Sequence, residues 1–250
     1  MRFPIFVLVA ILALGLGGAA TAQDAQSAPP GSVSSGNVHL EKAKVKLALK
    51  HYNEALEELL LALQQEPKSA EICNFLGLTY LQLGQLDAAR TYFKKASKLD
   101  PKYARPYNNL GAVYHVRKQY KNAVKAYKKA IELDPRFLLA YYNLANVYFA
   151  QKKYLQGIDT MHKLVQLDPN YLMKERTSGL ELGAASFDDE KRYFYYAKLY
   201  AQVGDIEKVL YFLRKSFEAG FKDAKVILED KDFAPFQQDP RFQALLAGKS

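Results

Sequence analysis

Apolar side chains recur three and four positions apart through most of this chain, and the recurrences come in pairs of short segments. Leu76 and Tyr80 have this spacing in one segment, and Ala89 and Phe93 have it in the next. The period places apolar groups on one face of an α-helix, so each segment is predicted to be an amphipathic helix. Gly84, between the two segments, favours the left-handed backbone that ends a helix. The pattern therefore predicts helix hairpins and an all-α chain.

Proline recurs every 34 residues, at Pro67, Pro101, Pro135 and Pro169. Proline has no amide hydrogen and disfavours helical geometry in the residue before it, so each proline is predicted to follow a second helix. The residue types between the prolines also repeat: Leu76, Gly77 and Tyr80, then Leu110, Gly111 and Tyr114, then Leu144, Ala145 and Tyr148. Self-similarity at such a period indicates hairpins that stack, because one hairpin cannot cover its own apolar face.

These residues resemble the signature of the tetratricopeptide repeat (TPR), which is an aromatic residue, Leu-Gly and Tyr, then Ala, an aromatic residue and Pro. The resemblance is strict from Ala70 to Pro169 and weaker in most of the remaining chain. It implies a right-handed α-solenoid of stacked helix-turn-helix hairpins. A divergent repeat and a cap are expected at its C-terminal end.

The resemblance also predicts how the chain is divided. Residues 37–171 are predicted to hold four repeats, of which the first is degenerate because it lacks the Leu-Gly pair. The next match arrives about 18 residues late, with Tyr196, Ala197, Tyr200, Val209, Leu213 and Ser216. This delay predicts an insertion at 172–189 and a divergent hairpin at 190–220. Residues 221–250 are predicted to form the cap from two short amphipathic pieces, at 224–228 and 240–246.

The N-terminal segment has the features of a secretory signal. Arg2 precedes an apolar run, and Ala20-Thr21-Ala22 provides a small-residue cleavage site, so residues 1–22 are predicted to be removed after export. An uncleaved membrane anchor is the alternative, although the apolar run is shorter than the roughly 20 residues that a span needs. Residues 23–36, rich in Ser, Ala, Pro and Gly, predict a disordered linker. We therefore expect an exported protein, periplasmic or secreted.

The positive charge of the chain is concentrated in one part of the repeats. The formal net charge is +9, and the segment from Lys94 to Arg136 carries an excess of basic over acidic residues. Lys121, Lys125, Lys128 and Lys129 are predicted to lie on one side of a second helix, forming a basic ridge. The ridge is either a solvated face that favours solubility or a docking surface for phospholipid headgroups or an acidic protein. Nucleic acid is not expected as a partner, because an exported protein seldom meets it.

The sequence lacks the motifs of the common catalytic sites. It contains no Gly-rich phosphate loop, no His-Glu-x-x-His, no Gly-x-Ser-x-Gly and no Cys-x-x-Cys, and its four histidines lack metal-ligand spacing. The acids Asp188, Asp189 and Glu190 are more typical of a helix start than of a cation site. We therefore expect a non-enzymatic protein without a cofactor or metal. An enzyme with its site in the 172–189 insertion is the weaker alternative.

In the family that the chain resembles, the first helices line a concave groove that binds a peptide of a partner protein. The residues predicted to contact such a peptide are Asn74, Arg105, Asn108, His115, Tyr142, Asn146 and Phe149. The asparagines suit hydrogen bonds to a peptide backbone, whereas Tyr142 and Phe149 offer apolar area. Some members of this family clamp the terminal carboxylate of a chaperone with a set of basic and asparagine side chains, and this sequence does not contain the complete set.

The resulting hypothesis is an adaptor or assembly factor of the cell envelope that captures a protein or peptide. The alternative is a tether to an anionic membrane or envelope surface through the basic ridge. The identity of the partner and the oligomeric state stay open.

Overall fold

The computed structural model describes residues 35–173 and 189–248, which form helices and turns without a strand in those ranges. The predicted signal and most of the predicted linker and insertion lie outside the described residues, whereas the last two linker residues, 35 and 36, belong to α1. The helices are α1 (Ser35–Ala48), α2 (Tyr52–Gln65), α3 (Ala70–Gln82), α4 (Leu86–Leu99), α5 (Ala104–Val116), α6 (Tyr120–Leu133), α7 (Leu138–Ala150), α8 (Tyr154–Leu167), α9 (Asp189–Gln202), α10 (Ile206–Glu218), α11 (Ala224–Glu229) and α12 (Pro240–Ala247). A 3-10 helix, Lys231–Phe236, lies between α11 and α12.

These helices fall into two compact units. The described part of unit 1 is residues 35–135, with α1 to α6, and that of unit 2 is residues 136–173 and 189–248, with α7 to α12. In unit 1 the hairpins α1/α2, α3/α4 and α5/α6 stack, because each second helix also packs on the first helix that follows it. Leu59, Ile72 and Leu76 are fully buried in the core that joins the first two hairpins. The predicted all-α stack of hairpins is confirmed.

Each hairpin turn has the same backbone geometry. The residue two positions after the end of the first helix has a positive φ, at Lys50, Gly84, Lys118, Lys152 and Gly204. At the second of these turns the Gln85 amide donates to the Tyr80 carbonyl at 2.8 Å, which is the long hydrogen bond of a Schellman motif. The first four turns follow one another at the spacing of the prolines, whereas Gly204 comes later after Lys152 than one repeat length allows. The register of the turns is therefore shifted between α8 and α9.

The glycine of the first helix makes room for an aromatic ring of the second. A Cβ added to Gly77 would lie 2.5 Å from Phe93 Cδ1, and one added to Gly111 would lie 2.6 Å from Tyr127 Cε1. In the hairpin α7/α8 the arrangement is reversed, because the glycine, Gly157, is on the second helix. In these three hairpins the aromatic ring fits between the helices because the facing position has no side chain.

The Tyr127 hydroxyl group is buried and has no hydrogen-bond partner among the described residues, and burial raises the pKa of this side chain. Phe93, one repeat length earlier in the chain, fills the equivalent place without a hydroxyl. Because a buried unpaired polar group costs about 1–3 kcal/mol, we expect Tyr127→Phe to raise the free energy of unfolding by about that amount. Chemical denaturation followed by circular dichroism measures the change.

Tyr200 provides the matched control for this substitution, because its hydroxyl donates to the Pro169 carbonyl at 2.7 Å. Tyr200→Phe should therefore lower the free energy of unfolding by about 1 kcal/mol. Equal effects of the two substitutions would contradict the assignment of Tyr127 as an unpaired group.

In unit 2 the C-terminal residues cap the last hairpin, α9/α10. Phe233 and Phe242 are fully buried, and the ring centroid of Phe233 lies 5.9 Å from that of Phe194 on α9. Lys198 on α9 pairs with Asp230 at 2.5 Å and with Asp232 at 3.3 Å. The predicted C-terminal cap is confirmed. The 3-10 helix between its two predicted pieces was not predicted from the sequence.

The cap lies where the first helix of another repeat would pack. Asn74 on α3 is ten residues before the turn at Gly84, and it contacts Asn109 of the next first helix, α5. Phe194 is likewise ten residues before the turn at Gly204, and its neighbour is Phe233 of the 3-10 helix. The 3-10 helix thus covers an apolar face that would otherwise need a further hairpin.

No helix within residues 35–173 and 189–248 is both long enough and apolar enough to cross a lipid bilayer.

Candidate functional site

The first helices of unit 1 carry a hydrogen-bonded set of asparagines. Asn109 on α5 donates through Nδ2 to Asn74 Oδ1 on α3 at 2.9 Å. Asn108 donates through its own Nδ2 to Asn109 Oδ1 at 3.2 Å. Asn74 is only 2% exposed and Asn108 only 3%, whereas Asn109 is partly exposed. Asn109 is therefore the member of this set that another molecule can reach.

Arg105 is one helical turn before Asn109 on α5. Its side chain is exposed, and it forms no ion pair with a described residue. Lys44 on α1 differs, since its Nζ lies 2.7 Å from Glu41 Oε1 and 3.0 Å from Glu71 Oε1. Arg105 thus offers a cationic group that is not paired with a carboxylate of the described residues.

His115 lies near the end of α5 and is buried. Its ring meets the Tyr120 ring edge-on, with centroids 5.8 Å apart. Burial lowers the pKa of His115 to about 4, so the imidazole is neutral at pH 7. His115 can contribute shape or a neutral hydrogen bond at this place, and it cannot contribute a positive charge.

The remaining three predicted contact residues, Tyr142, Asn146 and Phe149, are on α7 in unit 2, and all three are buried. The Tyr142 ring lies 6.2 Å from that of Tyr171, measured between centroids. The Phe149 ring packs on Gly157 of its own hairpin. Six of the seven predicted residues are therefore buried and only Arg105 is exposed. Their contact with a partner stays a prediction.

Asn109 was missing from the predicted set, although the sequence held a signal for it. It follows Asn108 directly and lies 35 residues after Asn74, one more than the repeat length. Asn109 is therefore rotated around α5 by one residue relative to Asn108, and its amide faces α3, the preceding first helix.

The predicted basic ridge is on α6. Lys121, Lys125 and Lys128 are exposed and form no ion pair with a described residue. Lys129 is less exposed and pairs with Glu132 Oε1 at 2.6 Å. Val124 lies among these lysines on the same surface. The ridge therefore consists of three uncompensated lysines and one paired lysine.

Other chemistry in the described residues is limited. Across residues 35–173 and 189–248, no three side chains among His, Cys, Asp and Glu come together as metal ligands. Cys73 is buried, and desolvation raises the pKa of its thiol, which disfavours the reactive thiolate.

Solved structures with the same fold include the Pseudomonas aeruginosa protein PilF and MamA from Desulfovibrio magneticus. The PilF structure has a TM-score of 0.55 and 18% identity, covering 84% of this chain and 88% of its own. The MamA structure has a TM-score of 0.53 and 23% identity, covering 75% of this chain and 97% of its own. At these identities the likeness shows the fold alone. A comparison with curated protein sequences found no match.

The sequence matches the family model described as the tetratricopeptide repeat protein 21 C-terminal ARM domain over residues 37–177, which is more than half of the chain. This match agrees with the repeating register of the turns and with the stacked hairpins. The chain belongs to the tetratricopeptide repeat family.

Proposed function

We propose that this protein is a non-enzymatic interaction module of the cell envelope, an adaptor or assembly factor that holds a peptide of a partner protein on its first helices. Family membership supports the proposal, because stacked repeats of this kind present extended surfaces that bind other proteins. The N-terminal sequence supports the envelope location through its Arg2, its apolar run and its Ala-x-Ala site.

The observation that carries the proposal is the partly exposed amide of Asn109. An asparagine side chain has two N–H donors and an oxygen with two lone pairs. Asn109 uses one donor for Asn74 and one lone pair for Asn108, which fixes its orientation. One donor and one lone pair stay available, and these match the C=O and N–H of a peptide group.

Arg105 suggests the character of the bound peptide. Residues four apart on a helix are neighbours on its surface, so Arg105 and Asn109 can contact the same peptide. A carboxylate of the partner, two or three residues from the backbone group at Asn109, would pair with the Arg105 guanidinium. The favoured partner is therefore an extended segment that contains an acidic residue.

The test replaces Arg105 with Glu and maps the cross-links that the full chain forms in intact cells, using mass spectrometry. Charge reversal removes a charge-assisted hydrogen bond, so we expect cross-links to the partner peptide to fall by about tenfold or more. Arg105→Glu does not disturb the core, because the side chain is exposed. Asn109→Ala, with its fold checked by circular dichroism, should weaken the same cross-links.

The matched control is the pair Arg214→Glu and Asn53→Ala, which makes the same chemical changes at exposed places on second helices. It should leave the cross-links intact. Unchanged partner cross-links in Arg105→Glu would show that the peptide does not bind on this face.

A further inference from the structure

Three lysines of α6 lie exposed on one surface of unit 1, and none of them forms an ion pair with a described residue. Some cations of neighbouring elements do pair with carboxylates: Lys46 with Glu54, and Arg117 with Asp87 at 2.8 Å. The single acid of α6, Glu132, is already paired with Lys129. Lys121, Lys125 and Lys128 are spaced four and three residues apart, so they point from one side of the helix, which they share with Glu132. None of the three forms an ion pair with a described carboxylate.

The preceding second helix, α4, adds two more lysines. Lys94 is 34 residues before Lys128 and so holds the equivalent place in its hairpin, and Lys98 follows one turn later. Both are exposed and form no ion pair with a described residue. Five residues thus form a lysine face: Lys94, Lys98, Lys121, Lys125 and Lys128.

The composition of the lysine face indicates which anion it fits. Helix α6 has no arginine, the residue whose planar fork suits specific, bidentate phosphate recognition. The partly exposed aromatic side chains of α4 and α6, Tyr92 and Tyr120, already pack on the rings of Tyr80 and His115, which leaves them poorly placed to stack on a nucleic-acid base. Protein interfaces are enriched in aromatic residues and arginine and depleted in lysine. Separate ammonium groups on flexible stems suit a surface with many interchangeable negative charges.

We propose that the lysine face docks the protein on a membrane of anionic phospholipids. The ammonium groups contact headgroup phosphates. The contact is electrostatic, because a single apolar side chain, Val124, lines the described surface around the α6 lysines. Such binding does not need an inserted helix. It leaves the first-helix residues Arg105 and Asn109 to the peptide, so the two binding events use different elements of unit 1.

The experiment measures co-sedimentation of the purified full chain with vesicles that contain phosphatidylglycerol and with vesicles of phosphatidylcholine alone. We expect binding only to the first kind, and its loss at high salt, because salt screens charges at the surface. The variant Lys121→Gln/Lys125→Gln/Lys128→Gln should bind about 100-fold more weakly, since each lysine near an anionic surface contributes about fivefold. Glutamine and lysine have similar helix propensities, so α6 should persist, and circular dichroism verifies this.

The matched control is Lys222→Gln/Lys225→Gln/Lys231→Gln, which removes the same charge from exposed places in the cap of unit 2. It should bind nearly as the parent does. An equal loss in both variants would overturn the proposal, because net charge alone would then drive binding. Equal binding to both kinds of vesicle, or none to either, would also overturn it. Binding to polyglutamate but not to vesicles would assign the lysine face to an acidic protein.

Discussion

Phe233→Ala is expected to lower the free energy of unfolding of unit 2 by about 3–5 kcal/mol, the usual cost of truncating a fully buried phenylalanine. Phe233 has no exposed surface, and its ring lies between Phe194 of α9 and Phe242 of α12. Its removal leaves a cavity, because the Phe233 ring packs on both Phe194 of α9 and Phe242 of α12. Hydrogen exchange of α9 amides, with chemical denaturation of the full chain, measures the loss.

Leu228→Ala is the control within the same cap. The Leu228 side chain is 49% exposed, so its truncation should change stability by no more than about 0.5 kcal/mol. If Phe233→Ala were as mild as Leu228→Ala, the cap would not stabilise the last hairpin, and the apolar face of α9 would need another cover.

Gly77→Val is expected to cost about 3 kcal/mol, because overpacking a filled core forces a shift of backbone or rings. Even a single Cβ at this place would come within 2.5 Å of two ring carbons of Phe93, a fully buried residue. Thermal and chemical denaturation should both show the loss of stability, and the backbone amides of α4 should lose protection from hydrogen exchange.

The hairpin α7/α8 provides the matched control for this substitution. It carries Ala145 and Met161 at the places that Gly77 and Phe93 hold in α3/α4. The double substitution Gly77→Ala/Phe93→Met conserves volume and follows a pairing that the protein already uses, so it should cost less than about 1.5 kcal/mol. A double variant as unstable as Gly77→Val would mean that the glycine serves some purpose other than space for the ring.

The hairpins could be predicted from the sequence because their determinants are local. Gly84 and the apolar spacing around Phe93 specify a turn and a buried face within one repeat, and the repeat period then extends this to the neighbours. The 3-10 helix could not be predicted in the same way. Its position depends on Phe233 meeting Phe194, a contact between residues far apart in the chain that no period relates.

The candidate site was less predictable for the same physical reason. Alignment placed Phe149 among the contact residues, since it shares a register with His115, yet its ring packs on Gly157. This packing depends on a glycine in the second helix. The equivalent positions of the hairpins α3/α4 and α5/α6 hold Ala89 and Ala123. Alignment within one repeat likewise could not show that Asn109 bonds across to Asn74, because that bond joins two repeats.

The common geometry of the turns at Lys50, Gly84 and Lys118 has a consequence for how such a gene can change. Unequal recombination that joins the codons of two neighbouring positions removes one repeat length, a second helix and the following first helix, and leaves an intact turn at the junction. The Asn74–Asn109 bond would be lost in the shortened product, because its two residues belong to adjacent hairpins. The number of repeats can therefore change without disrupting the turn at the junction. A surface formed by side chains of two neighbouring repeats is lost in the same event.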